Sequence, residues 1–152
     1  MSMSLLEKIT TDDLLASLGQ DVQLLGEGAN LSVVVPKERL IAVMEELLKN
    51  YSFDYLGDVT AVDRGESGFE VVYHLFSISN KYELRVKTIT TQSEAEVPTV
   101  TSVWPGANWM EREVYDLMGV AFAGHPDMTR LLLPEEFEGH PLRKTFKLQP
   151  RA

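Results

Sequence analysis

The chain of 152 residues contains no cysteine. Disulfides, cysteine-ligated zinc and a self-ligated iron–sulfur cluster are therefore excluded. Bases are also short, with 14 Lys and Arg against 23 Asp and Glu, for a net charge of −9. Nucleic-acid binders carry the opposite sign, and anionic lipid would repel this surface. No window approaches the roughly 20 consecutive apolar residues of a membrane span. The first residues, MSMSLLEKITTDD, place acids where a signal peptide needs a basic region. The expectation is a chain with no nucleic-acid partner, soluble on the cytoplasmic side, whose membrane contact is made only through another protein.

What is present suits an ordinary folded domain, with 44% hydrophobic and 24% charged residues. The length favours one domain with a real core. Residues 5–18 have helical periodicity, restarting at the cap-type cluster Thr10-Thr11-Asp12-Asp13 and stopping at Gly19. Residues 22–25 and 31–35 read as short strands around a turn-rich loop. Pro36 opens a helix to about Asn50, with Leu40, Val43, Met44, Leu47, Leu48 and Tyr51 in one apolar stripe. That regularity is expected of core packing onto a sheet.

Three more strands are predicted at residues 55–62, 69–77 and 82–90, separated by turn-like segments. The last alternates cleanly, as a sheet with one wet side requires. The strand from Phe69 is apolar on both faces and is placed centrally, with His74 as a lone histidine satisfied within the sheet. Residues 92–99 are polar and read as the connection out of the sheet. The predicted fold is α+β: a two-layer sandwich of a mostly antiparallel or mixed sheet with helices on one face, plus an extended C-terminal arm. Residues 1–103 form the α+β part and 104–152 a helix and arm, together one structural domain.

Residues 104–147 stand apart. They hold both tryptophans, four of the seven prolines, two of the three histidines and the tripeptide Gly-His-Pro twice, at residues 124–126 and 139–141. A helix is expected from Ala107-Asn108 to Met118, stopped by Gly119, with Met110, Val114, Leu117 and Met118 apolar and Glu111, Arg112, Glu113 and Asp116 charged. Arg112 and Asp116, four apart, can pair along its surface. Beyond Gly119, prolines and glycines are too dense for long regular elements, yet apolar anchors recur at Phe122, Leu131, Leu132, Leu133, Phe137, Leu142 and Phe146. Such an arm is expected to lie on another surface, with a partner supplying its second wall.

Three chemistries can be drawn from the arm. A metal site could use His125, His140 and a carboxylate, but histidines in glycine turns lack fixed ligand spacing. Paired carboxylates at Glu135, Glu136 and Glu138 have no nucleophile or orienting base nearby in sequence. Arg112, Arg130, Arg143 and Lys144 suit ion pairs with another protein's carboxylates, or with Glu111 and Glu113 in cis. His125 and His140 are read as turn residues bonding backbone carbonyls.

The ordered set Glu111-Arg112-Glu113, Tyr115-Asp116-Leu117-Met118-Gly119, Phe122, Gly124-His125-Pro126, Arg130, Leu132-Leu133-Pro134 and Gly139-His140-Pro141-Leu142-Arg143-Lys144 resembles the signature of the respiratory-chain NADH dehydrogenase 30-kDa subunit family. Met128-Thr129 and Thr145 depart from the common pattern. The resemblance implies a non-redox subunit in the peripheral arm of NADH:quinone oxidoreductase, catalytic only as part of that translocase. It implies no cofactor on this subunit, while FMN, iron–sulfur clusters and quinone belong to the holo-complex. The implied partner is the neighbouring hydrogenase-large-subunit-like protein at the quinone site, with other peripheral-arm subunits. The expected interface residues are Glu111, Arg112, Glu113, Tyr115, Asp116, His125, Arg130, His140, Arg143 and Lys144. The family also serves membrane-bound energy-converting hydrogenases and related dehydrogenases, and a stand-alone metal-dependent enzyme using His125 and His140 is the reading from a different class.

Overall fold

The computed structural model describes residues 3–4, 11–26 and 30–150. Residues 5–10 of the first expected helix and 27–29 of the first hairpin loop lie outside them. Helix α1 (Thr11–Leu18) buries Leu14 and Leu18, and the Gly19 N–H donates to the Leu15 carbonyl at 3.0 Å, closing it as expected. Strand β1 (Met3–Ser4) runs parallel to the start of β6 (Tyr82–Thr90). Strands β2 (Gln23–Leu25) and β3 (Ser32–Val34) form an antiparallel pair, and β3 runs parallel to β6. Strands β4 (Tyr55–Asp63), β5 (Phe69–Ser77) and β6 are an antiparallel meander.

The resulting mixed sheet has the order β2-β3-β6-β5-β4, with β1 beside β6. Helix α2 (Leu40–Tyr51) carries the chain from β3 across to β4 at the opposite edge. The long helix predicted from Pro36 is divided. Pro36, with φ −59° and ψ 140°, leads into a tight 3-10 turn at Lys37–Arg39, and the α-helix begins only at Leu40.

The period-2 and period-3.6 patterns meet in one apolar cluster. Phe69, Val71, Tyr73 and Leu75 of β5 and Leu84 and Val86 of β6 face Leu14, Leu18, Leu40, Val43, Met44 and Leu47 of the helices. Each such side chain contributes about 1.5–3 kcal/mol by leaving water. The other face of β6 is wetter. There His74 is half-buried on the open side, opposite Arg85 in register, so it is not a core histidine.

One expectation fails beyond β6. The polar connection contains strand β7 (Glu96–Pro98), which pairs in parallel with β8 (Ala121–Ala123), a three-residue strand in the region expected to hold no long regular element. Short runs tolerate Pro98 because the ladder continues through neighbouring amides. The Thr99 N–H donates to Ala123 O at 2.9 Å and the Ala121 N–H to Ala95 O at 2.8 Å. Between these strands, α3 (Ala107–Met118) packs against β4. Trp104 is buried just before it, and its indole N–H donates to the Phe53 carbonyl at 3.1 Å. That bond fixes the entry to α3 on the body of the domain.

Candidate functional site

Helix α3 buries Ala107, Glu111, Val114, Asp116 and Met118. Met110 and Leu117, expected on the apolar face, are only half-buried. Two carboxylates thus point inward from opposite flanks, and each organises a different part of the chain.

Glu111 organises the turn before the helix. Its Oε1 accepts the Val100 N–H at 2.8 Å and its Oε2 accepts the Thr99 hydroxyl at 2.5 Å. His125 Nε2 lies 3.9 Å from that Oε2. Burial pushes the Glu111 carboxyl above its ordinary value, opposed by the bonds from Thr99 and Val100 and by His125. The ring of His125 is committed at both nitrogens. Nδ1 accepts the Asp127 N–H at 2.9 Å, so Nε2 carries the proton and faces the Asn108 carbonyl at 3.1 Å. Neither nitrogen is left for a metal. Among the described residues no three His, Asp or Glu side chains converge as a metal site requires. The buried Tyr73 hydroxyl has no hydrogen-bond partner among the described residues, and burial together with the Glu111 charge pushes its pKa up.

Asp116 organises the arm. Oδ1 meets Arg130 Nη1 at 2.8 Å, and Oδ2 accepts the backbone N–H groups of Leu131, Leu132 and Leu133 at 3.1, 2.7 and 2.9 Å. Burial alone would raise its pKa, but the Leu133 amide, the Arg130 guanidinium and the Leu132 and Leu131 amides hold it below the usual carboxylate range. The surface pair expected between Arg112 and Asp116 does not form, because Asp116 is turned inward. Arg112 instead donates to Thr129 and to the Arg130 carbonyl and lies 4.9 Å from the Trp109 ring centroid.

The rest of the arm closes the helix end. An α-helix leaves its last carbonyls without partners. Here Asp116 O accepts from Arg130 Nη1 at 3.2 Å and from His140 Nδ1 at 3.0 Å. Leu117 O accepts the Leu142 N–H at 2.9 Å. Met118 O and Gly119 O accept from Arg143 Nε and Nη2 at 2.6 and 3.0 Å. Two arginines at this end also match the negative pole of the helix. Arg143 further lies 5.1 Å over Phe69, and Arg130 donates to the carbonyls of Phe137 and Gly139 at 2.9 Å each. The Lys144 N–H donates to Asp63 Oδ2 at 2.9 Å, bringing the arm to the end of β4. Gly119, at φ +73°, leaves room for this cap, since a Cβ there would stand 2.5 Å from His140.

The arm is therefore irregular, and its own chain supplies one wall through the bonds to Asp116, Met118, Gly119 and Asp63. Of the ten expected interface residues, Glu111 and Asp116 are sealed inside, and Arg112, Arg130, His125, His140 and Arg143 bond mainly to backbone carbonyls. Tyr115 is half-buried with its ring against His140, while Glu113 and the Lys144 side chain are exposed. Sequence reasoning missed Thr99, Val100 and Asp63, whose roles depend on contacts 11 to 81 residues apart. Large apolar side chains also face outward: Trp109 is 61% exposed, Leu132 61%, Leu142 59% and Leu148 88%.

Comparison with known proteins gives consistent matches. The family described as respiratory-chain NADH dehydrogenase, 30 Kd subunit, matches residues 33–152. The NADH-quinone oxidoreductase C subunit of Moorella thermoacetica is 50% identical over 125 residues, 81% of this chain and 84% of that protein. Its counterpart of the same name in Geotalea uraniireducens is 45% identical over 121 residues, 78% of this chain and 74% of that one. Among solved structures, a trypsin-resistant fragment of Nqo5 superposes with a TM-score of 0.66 at 32% identity, covering 76% of this chain and 94% of the fragment. A chain of the membrane-bound sulfane sulfur reductase, an archaeal respiratory membrane complex, superposes with a TM-score of 0.78 at 26% identity, over 90% of this chain and 83% of that one.

Proposed function

The chain belongs to the respiratory-chain NADH dehydrogenase 30 Kd subunit family, and from that membership we propose that it is a structural, non-redox subunit in the peripheral arm of a proton-translocating NADH:quinone oxidoreductase. Its relatives are subunits of such complexes, so its partners are other subunits of the complex. The specific partner in this reading is the hydrogenase-large-subunit-like protein at the quinone site, which the outer face of the arm contacts on the cytoplasmic side of the membrane. The chain carries no redox group of its own, and FMN, iron–sulfur clusters and quinone are held by its neighbours. Oxidoreductase activity belongs to the assembled complex.

One observation carries this reading. The signature side chains Asp116, Arg130 and Arg143 are bonded within the chain, while Leu132, Leu148 and Trp109 are left exposed around the arm. Exposed leucines flanking a rigid, internally bonded segment suit a protein surface. Lys144 and Tyr115 supply its polar rim. Co-expression with the hydrogenase-large-subunit-like protein tests the proposal. Leu132→Asp combined with Leu148→Asp should reduce co-purification at least about tenfold, a loss of about 1.4 kcal/mol of binding, with the unfolding midpoint unchanged. Undiminished association would remove the arm face as the interface. Truncation after Gly119 is a poorer test because it also uncaps α3.

A second reading rests on the sulfane sulfur reductase superposition, which covers more of the chain at a higher TM-score than the Nqo5 fragment does. The chain would then be the equivalent subunit of a membrane-bound hydrogenase or related dehydrogenase. Neighbouring genes separate the two, since flavoprotein genes for NADH oxidation accompany the first and nickel–iron maturation genes the second.

A further inference from the structure

A groove of about 340 Å³ runs between β4 and α3, away from the outer leucines at 132 and 148. Its first wall is formed by four consecutive residues, 58–61. Neighbouring side chains on a strand point to opposite faces, so four in a row can border one groove only along the strand's backbone edge. That edge is free. Strand β4 ends the sheet and pairs only with β5 among the described residues. The second wall is apolar, made by Val114 and Leu117 of α3 and by Leu142 of the arm.

The groove has defined ends. The register shift between Leu56 and Asp58 breaks the pairing edge on one side. At the other, the Lys144 N–H caps Asp63 and brings the arm across. The edge available between them, residues 58–62, matches one strand of typical length. Its rim is acidic. Asp58 and Glu113 both line the groove, both are exposed, and neither forms an ion pair among the described residues.

We infer that this groove receives an extended segment of a partner protein, one alternating apolar residues with lysine or arginine, added to the sheet as a further strand beside β4. Its backbone pairs with the edge of residues 58–62, its apolar side chains meet Val114, Leu117 and Leu142, and its basic ones meet Asp58 and Glu113. A second copy of this chain is the poorer occupant, because β4 against β4 brings acids together. The inference rests on the reading that the chain works inside a complex, but not on the identity of the partner at the arm's outer face.

The test uses the full chain, isotope-labelled, titrated with a capped peptide of about seven residues alternating valine and lysine. Amide shifts should concentrate at residues 58–62 and along α3 near Val114 and Leu117. A peptide N-methylated along its pairing edge should lose binding, and one alternating valine and glutamate should bind about tenfold more weakly. Asp58→Lys with Glu113→Lys should reverse the lysine–glutamate preference; if that variant fails to fold, the N-methylated series decides alone. Shifts outside the groove, binding that survives N-methylation, or dimerisation through β4 would overturn the inference. Peptide binding that persists in the Leu132→Asp, Leu148→Asp chain separates this groove from the arm's own docking face.

Discussion

Asp116 and Arg130 meet at 2.8 Å inside the chain, and the same carboxylate gathers three consecutive amides from Leu131 to Leu133. One side chain on α3 thus sets the path of the arm just after Arg130.

Removing that charge should release the arm. Asp116→Asn leaves the half-buried Arg130 without its carboxylate partner and halves the acceptor capacity facing the three amides. The expected loss is about 3–5 kcal/mol, the range for breaking one side of a buried pair. Urea unfolding measures it, and hydrogen exchange at 131–133 should accelerate beyond the change at β5. Equal effects on both segments would show that the arm is not a separate unit held by Asp116.

Gly119→Ala should destabilise through two causes. The residue takes φ +73°, and its new Cβ would stand 2.5 Å from His140 and 2.6 Å from Arg143. Left-handed strain costs about 1 kcal/mol, and displacing the cap adds to it, for a total of about 1–3 kcal/mol. Thermal unfolding reads the total. A loss no greater than that of Gly106→Ala, where a Cβ meets nothing within 4 Å, would refute the role of the cap.

Acid should detach the arm before it unfolds the body. Asp63 is held below its ordinary value chiefly by the Lys144 N–H, against the effect of burial, and Asp116 is held low by the amides and Arg130. A carboxylate with a lowered folded pKa contributes stability above its unfolded pKa and loses it as pH falls through the folded one. Both groups tie the arm, so their protonation weakens the same segment. Amide shifts of 131–133 and 144 followed downward from about pH 5 should move before those of β5 and β6.

Glu111 has the opposite sign. Burial raises its folded pKa, so its favourable contribution is complete below the unfolded value and is lost as pH rises through the folded one. Glu111→Gln should therefore flatten the decline in stability as pH rises above the ordinary carboxylate range of about 4, while its amide still accepts from Val100 or Thr99. Urea midpoints across that rise for both proteins check it. A parallel decline in the variant would assign the slope to another group.

The sheet and helices were legible because their periodicities are local. The stripe through Leu40, Val43, Met44 and Leu47 and the alternation from Tyr82 to Thr90 both appear in the structure as buried faces. Glu111 carried a readable signal that its charge obscured. It stands four residues after Ala107 and three before Val114, in the spacing of the buried stripe. Asp116 had no such signal, since its partners are 14 to 17 residues further along and lie in turns. The pairing of β7 with β8 was hidden for a related reason. Two three-residue strands separated by α3 are too short to show alternation.

The far end of α3 is completed by Leu142 and Arg143, more than twenty residues downstream. During synthesis, that helix remains open at its carboxyl end until those residues have left the ribosome. A prematurely ended chain would already hold most of its core but show bare carbonyls at Leu117 and Met118. Such a product lacks the cap that Leu142 and Arg143 supply, so the helix is finished only by residues made long after it.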